Sequence, residues 1–138
     1  MVAVLVDSNV LIDVATSDPR WGEQSQEALV RLGRAHELVI NPIIFAEVSI
    51  SFDRIEHVDG LLPPGVFRRE NVPWEAAFLA GKAFVAYRKA GGERSSPLPD
   101  FFIGAHAAIR GYDLLTRDPR GFRKYFPTLR IISPETHP

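Results

Sequence analysis

The sequence predicts an α/β fold, a Rossmann-like parallel β-sheet flanked by helices on both sides. Two observations carry that reading. Short apolar runs rich in β-branched residues, VAVLV at 2–6 and LVI at 38–40, have the pattern of strands buried on both faces. They alternate with amphipathic segments of helical period, the arrangement that right-handed crossovers between parallel strands produce. A chain of 138 residues lies in the usual range of one domain, so residues 1–138 are expected to fold as one.

The elements follow in order. Residues 2–6 form the first strand, which ends at Asp7-Ser8-Asn9. A short helix over 9–15 is expected with Ser8 as its cap, then a second helix after Asp18-Pro19 with Ala28, Leu29, Leu32 and Ala35 at amphipathic spacing. Residues 37–41 read as the second strand. Pro42 stands where a first helical residue would, opening a helix to about residue 51; another runs from Asp53 towards Leu62, where Pro63, Pro64 and Gly65 stop it. Pro73 opens the longest helix, to about Lys89, with Trp74, Phe78, Gly81 and Val85 on one face, and Gly91-Gly92 ends it. The polar stretch 91–99 reads as a mobile loop. Asp100 begins a helix to Arg110 whose inward face is Ile103, Gly104 and Ala107. Residues 113–116 form a strand, 120–125 a short helix and 129–132 the last strand.

Composition excludes several classes. The 46% hydrophobic and 24% charged residues describe an ordinary globular chain, not a disordered or collagen-like one. Without cysteine there is neither a disulfide framework nor a thiolate zinc site, which suits a reducing compartment. The apolar run at 2–6 is interrupted by Asp7 and lacks the flanks of a signal peptide, and no run reaches membrane-spanning length, so a cytoplasmic protein with no membrane association is expected. The net charge of −1 hides an asymmetry: residues 1–60 hold four arginines against ten acids, residues 61–138 twelve basic residues against seven acids. Two solvated faces of opposite sign, or a basic rim beside an acidic pocket, would both produce it.

In open α/β sheets the functional crevice lies outside the carboxyl ends of the strands. Asp7 directly follows the first strand, where an Asx turn or helix cap would also explain it. Glu47 lies four residues after Ile43 and three after Ile44, on the apolar stripe of its helix; a carboxylate there needs a cation or an arginine. Asp100 opens a helix and could simply favour its dipole. Asp118 follows the strand at 113–116, where a turn with Pro119 would suffice. Together the four are harder to dismiss, because like charges gathered at one sheet edge repel unless cations bind. Oxygen-only ligands then point to Mg²⁺ or Mn²⁺ rather than zinc. His36, His57, His106 and His137 share no obvious face, which argues against a catalytic histidine pair.

These residues resemble the PIN-domain nucleases and, within them, the VapC-type toxins of toxin–antitoxin pairs. The matching segments are VLVDSNVLID, NPIIFAEV, LPDFFIGAHAA and LLTRDPRGFRKYFPTLRIISP, in that order and almost end to end. The resemblance implies a PIN-like sheet and a metal-dependent endoribonuclease that hydrolyses single-stranded or structured RNA. It places the family's acids on Asp7, Glu47, Asp100 and Asp118 as catalytic and Mg²⁺- or Mn²⁺-holding residues, with Ser8 and Thr116 as supporting hydroxyls. It also implies a homodimer held off by a cognate antitoxin. There is one departure: many relatives carry another carboxylate just before the counterpart of Asp100, whereas Ser96, Pro97, Leu98 and Pro99 offer none, which leaves a second metal site open. Beside Asp118, the basic residues Arg117, Arg120, Arg123 and Lys124 are candidates to hold RNA phosphates, as are Lys82, Arg88, Lys89 and Arg94.

Two other readings compete. A non-catalytic PIN scaffold would bind RNA or protein without cleaving it, and the presence of all four acids argues against it. A haloacid-dehalogenase-type phosphatase would need an acid two residues after its nucleophilic aspartate, but position 9 is Asn. The glycine-rich phosphate loop of a nucleotide binder is absent after the first strand.

Overall fold

A computed structural model of the chain describes residues 2–92 and 98–134. Its sheet has five strands, all parallel, in the order β3-β2-β1-β4-β5: β1 (Val4–Val6), β2 (Leu38–Ile40), β3 (Phe67–Arg69), β4 (Asp113–Leu115) and β5 (Ile131–Ile132). Every residue of β1, β2 and β4 is buried, so both faces of the central sheet are covered, as the continuous apolar runs predict. The helices are α1 (Ser8–Ala15), α2 (Gly22–Ala35), α3 (Pro42–Ser49), α4 (Ile55–Leu61), α5 (Trp74–Lys89), α6 (Leu98–Arg110) and α7 (Pro119–Tyr125). Among the described residues none is long and apolar enough to cross a membrane. The class is α/β, as expected.

The chain moves outward from β1 to β2 and β3, then returns to the other side of β1 with β4 and β5. That reversal opens a crevice between the carboxyl ends of β1 and β4. The two strands run in register there, Val6 opposite Leu115, and the Asp7 amide donates to the Leu115 carbonyl at 2.9 Å. Asp7 and Thr116 are thus brought side by side by strand pairing alone.

The structure departs from the sequence-based expectations in three places. One strand, β3, is not among those the sequence predicts. It reads Phe-Arg-Arg, and such a sequence can pair because it lies at the sheet edge, where charged side chains need not be buried. Arg68 pairs with Glu37 and Glu70, and Arg69 with Asp59. The cap of α1 is Asp7, not Ser8: the Asp7 Oδ1 accepts the Ser8 amide at 2.8 Å, so Ser8 becomes the first helical residue. The third departure concerns the helix faces. In α2 the buried stripe is Gly22, Ser25, Ala28 and Leu32, and Ala35 is exposed. The mobile loop expected at 91–99 lies mostly outside the described residues, as do Arg94 and His137.

In α5 the face bearing Trp74, Phe78 and Val85 points outward, with 89%, 69% and 47% of each residue exposed. The buried stripe is Ala76, Ala80 and Ala83. These small side chains let α5 lie close along α6.

α6 fits under α7 for a related reason. A Cβ added at Gly104 would come within 2.5 Å of Phe126 Cε2 and 3.1 Å of Phe122 Cδ1, and both rings are buried. Gly104→Ala should lower stability by about 1–3 kcal/mol through overpacking, read as a lower melting temperature. An unchanged melting temperature would mean that the rings can shift at no cost.

Candidate active site

Asp7 sits at the crevice with 3% of its surface exposed. Its Oδ1 takes the Ser8 amide, and its Oδ2 takes the Thr116 hydroxyl at 2.7 Å. Thr116 has no freedom in this. Its Oγ1 accepts the Asp118 amide at 3.1 Å and the Asn9 amide group at 3.3 Å, so its own proton is left for Asp7. Asn9 completes the turn by accepting the Arg117 amide at 3.2 Å.

Glu47 approaches from α3, half-buried, and its Oε1 accepts the Ser8 hydroxyl at 2.8 Å. Ser8 therefore touches both carboxylates, with its amide on Asp7 and its hydroxyl on Glu47. α3 is aimed by its own cap, Asn41, whose Oδ1 accepts the Ile44 amide, while Pro42 occupies the first turn where the sequence places it. Asp100, half-buried, comes from the first turn of α6, and Asp118 is exposed where β4 passes into α7.

The charges of these groups act on one another. Burial pushes the Asp7 carboxyl up to about 7, against the pull of the Thr116 hydrogen bond and with the added repulsion of Asp100 and Glu47. Burial, then the charges of Glu47 and Asp118, push Asp100 up to about 6. Among the described residues no lysine, arginine or histidine forms an ion pair with any of the four acids. Nor do any three of them converge tightly enough to chelate one cation as they stand. The donor set nonetheless fits a hard divalent cation: oxygen ligands only, an excess of negative charge, and three outer carboxylates with enough exposure to turn inward.

Arg117 is placed differently from the other basic residues. Its Nε lies 2.9 Å from Asp13 Oδ2, an ion pair without hydrogen-bond alignment, and its guanidinium covers the Trp21 ring. Arg120, Arg123 and Lys124 are exposed on α7. Between α5, α6 and α7 a cavity of about 150 Å³ has Asp100 and Asp118 at its edge and Tyr87, Phe101, Phe122 and Tyr125 in its lining. Nothing local in the sequence marks this cavity, because its rings come from three helices with no pattern joining them. Asn9 and Asn41 escape sequence reasoning for a similar reason: their roles depend on partners 108 and 65 residues away.

A family model described as the PIN domain matches residues 4–126. The protein belongs to the PIN domain family. No curated protein matches the chain. Among solved structures it is similar to VapBC-1 from nontypeable Haemophilus influenzae, with a TM-score of 0.74 and 18% identity over 97% of this chain and 99% of that one. It is likewise similar to a toxin–antitoxin complex from Klebsiella pneumoniae, with a TM-score of 0.71 and 21% identity over 96% and 98% of the two chains. Mycobacterium tuberculosis VapC20, a sarcin–ricin loop cleaving toxin, has a TM-score of 0.57 and 14% identity over 81% of this chain and 87% of that one. At these identities the likeness is one of fold.

The raised acids predict a pH dependence of stability. A folded-state pKa of about 7 for Asp7, against an ordinary value of 3.8, means that the fold gains from the bound proton at low pH. That gain is lost as pH rises from about 4 to about 7, with a ceiling of about 4 kcal/mol for the shift. In chelator, the native melting temperature should fall across this window. Asp7→Asn should flatten the fall and melt higher than the native protein at pH 8. Equal slopes for the two proteins would show that Asp7 carries no such burden.

Proposed function

We propose that this protein is a Mg²⁺- or Mn²⁺-dependent endoribonuclease, a phosphodiester hydrolase that acts as the toxin of a type II toxin–antitoxin pair. Asp7, Glu47, Asp100 and Asp118 would be its catalytic and cation-holding residues, and Ser8 and Thr116 their supports. One observation carries the reading: the buried Asp7 carboxyl feels the charges of Glu47 and Asp100, Asp100 in turn feels Asp118, and among the described residues no cationic side chain pairs with any of the four. The bound cation would supply a hydroxide nucleophile at neutral pH and offset the charge that grows on the phosphate.

The chain's own residues do the rest. The Thr116 hydroxyl holds Asp7 in a fixed orientation, and Ser8 links Asp7 to Glu47, so the rearrangement that cation binding requires falls on the outer carboxylates. The aromatic cavity beside Asp100 and Asp118 offers an unpaired base a stacking surface. Arg120, Arg123 and Lys124 can take RNA phosphates from the exposed side of α7. Arg117, held by Asp13, instead steadies the turn that carries Asp118. RNA as substrate is supported by the sarcin–ricin loop cleaving toxin that shares the fold, and an antitoxin partner by the toxin–antitoxin complexes. An arginine from such a partner would satisfy the acids and exclude the cation. This reading puts the enzyme in the cytoplasm.

The phosphatase reading is set aside, since Asn9 is hydrogen-bonded into the β4 turn and cannot serve as a general acid. A non-catalytic scaffold would have no use for uncompensated acids in its crevice. Ile50, Ile55, Trp74 and Phe78 are large apolar side chains left exposed on the described surface, and covering them in a homodimer would remove that apolar area from water.

Cleavage of single-stranded RNA should need Mg²⁺ or Mn²⁺ and stop in excess EDTA. Asp7→Asn should reduce it at least a hundredfold while the protein stays folded by circular dichroism. Cleavage that persists in EDTA would remove the metal mechanism. Light scattering of the purified protein should give twice the chain mass, and Trp74→Glu should shift it towards one; a native protein that is monomeric at high concentration would end the dimer reading.

A further inference from the structure

The largest polar network outside the crevice is centred on His106, which is fully buried in α6. Asn41 fixes the chemistry of its ring. The Ile44 amide can only donate, so the Asn41 atom that faces it at 2.9 Å is the oxygen, and the other end of the side chain is the NH₂. That NH₂ lies 2.9 Å from His106 Nδ1, which must accept. The ring proton is therefore on Nε2, where it donates to Glu70 Oε2 at 2.6 Å. Burial disfavours a second proton on the ring. Glu70 is itself fully engaged, accepting from Tyr112, Arg68 and Arg110 besides His106.

This chain of bonds joins three elements. Asn41 is the cap that starts α3, and Glu47 follows six residues later; Asp100 lies six residues before His106 on α6. The bond between Asn41 and His106 thus ties the start of α3 to the middle of α6. Glu70, next to the end of β3, holds the far side of the ring. α3 and α6 carry the two acids whose charges act on Asp7, so a shift of one helix against the other changes the distance between Glu47 and Asp100.

We propose that His106 is a positioning residue: by holding the Asn41 cap of α3 against α6 it sets the spacing of Glu47 and Asp100 and so the affinity of the crevice for a divalent cation. The inference rests on the cation-dependent reading above. It assigns His106 no contact with cation or RNA. Partners that orient ligands from outside the coordinating set change metal affinity by about 10–100-fold when lost.

Two substitutions divide the ring's functions. His106→Asn presents a side-chain oxygen where the native ring presents Nδ1, so it can still accept from Asn41 while giving up the bond to Glu70, which keeps three other donors. His106→Gln reaches the Nε2 position and can keep Glu70 while releasing Asn41. Asn41→Ser attacks the tie from the other end: a serine still caps α3 but is too short to reach His106. Mn²⁺ binding without RNA is measured by electron paramagnetic resonance of the free ion, with melting temperature as the check on folding. His106→Gln and Asn41→Ser should each weaken Mn²⁺ binding by about tenfold, their combination should be no worse than either alone, and His106→Asn should stay within about twofold of native. Native affinity in a folded His106→Gln or Asn41→Ser protein would overturn the positioning role and leave the nuclease reading standing, as would equal losses in His106→Asn and His106→Gln. A native protein that binds no Mn²⁺ would overturn both.

Discussion

A buried carboxylate with too little to satisfy it is the constraint around which this molecule is arranged. Asp7 is delivered to the interior by the central strand, and its two hydrogen bonds, from the Ser8 amide and the Thr116 hydroxyl, do not offset the loss of water. The neighbouring acids make the deficit larger. A protein built only for stability would place an arginine there or bury an apolar side chain. The crevice instead collects Glu47, Asp100 and Asp118, with no cationic partner among the described residues.

Glu70 shows what the same fold does with a carboxylate it means to keep charged. Burial raises its pKa too, but hydrogen bonds from His106, Tyr112, Arg68 and Arg110 more than offset this and hold it down at about 2. Four donors against two, in the same small protein, separate an acid held charged from one pushed up by burial. The two are also linked through the helices: the bonds that satisfy Glu70 continue through His106 to the cap of the helix that carries Glu47. Rigidity at the β3 edge and geometry in the crevice therefore belong to one network.

The charge asymmetry along the chain resolves in a similar way. Arg68 with Glu37, Arg69 with Asp59 and Arg117 with Asp13 each join a basic residue of the second half to an acid of the first. Part of the imbalance is thus taken up by ion pairs, two at the half-exposed edge strand and one at the turn before α7. What stays outside is more specific: Arg120, Arg123 and Lys124 on α7, and an apolar face on α5 opposite its buried alanines.

The sequence by itself determined the sheet class, the strands β1, β2, β4 and β5, and the position of Asp7 at the end of β1, because each leaves a local trace. A continuous β-branched run needs cover on both faces, a proline opens a helix, and an Asp at a strand's end lies where parallel sheets place their crevice. Tertiary structure decided the rest. Phe67–Arg69 became a strand only because the edge of β2 was available to it, and nothing in Phe-Arg-Arg says so. Asp7 displaced Ser8 as the cap of α1 because its orientation is set by Thr116, more than a hundred residues away. Which face of α5 is buried was settled by the close approach of α6, which admits alanines and excludes Trp74 and Phe78. The tautomer of His106 and the strength of the acids likewise depend on partners that only folding brings together, since desolvation and hydrogen-bond geometry are properties of a place in space and not of a position in the chain.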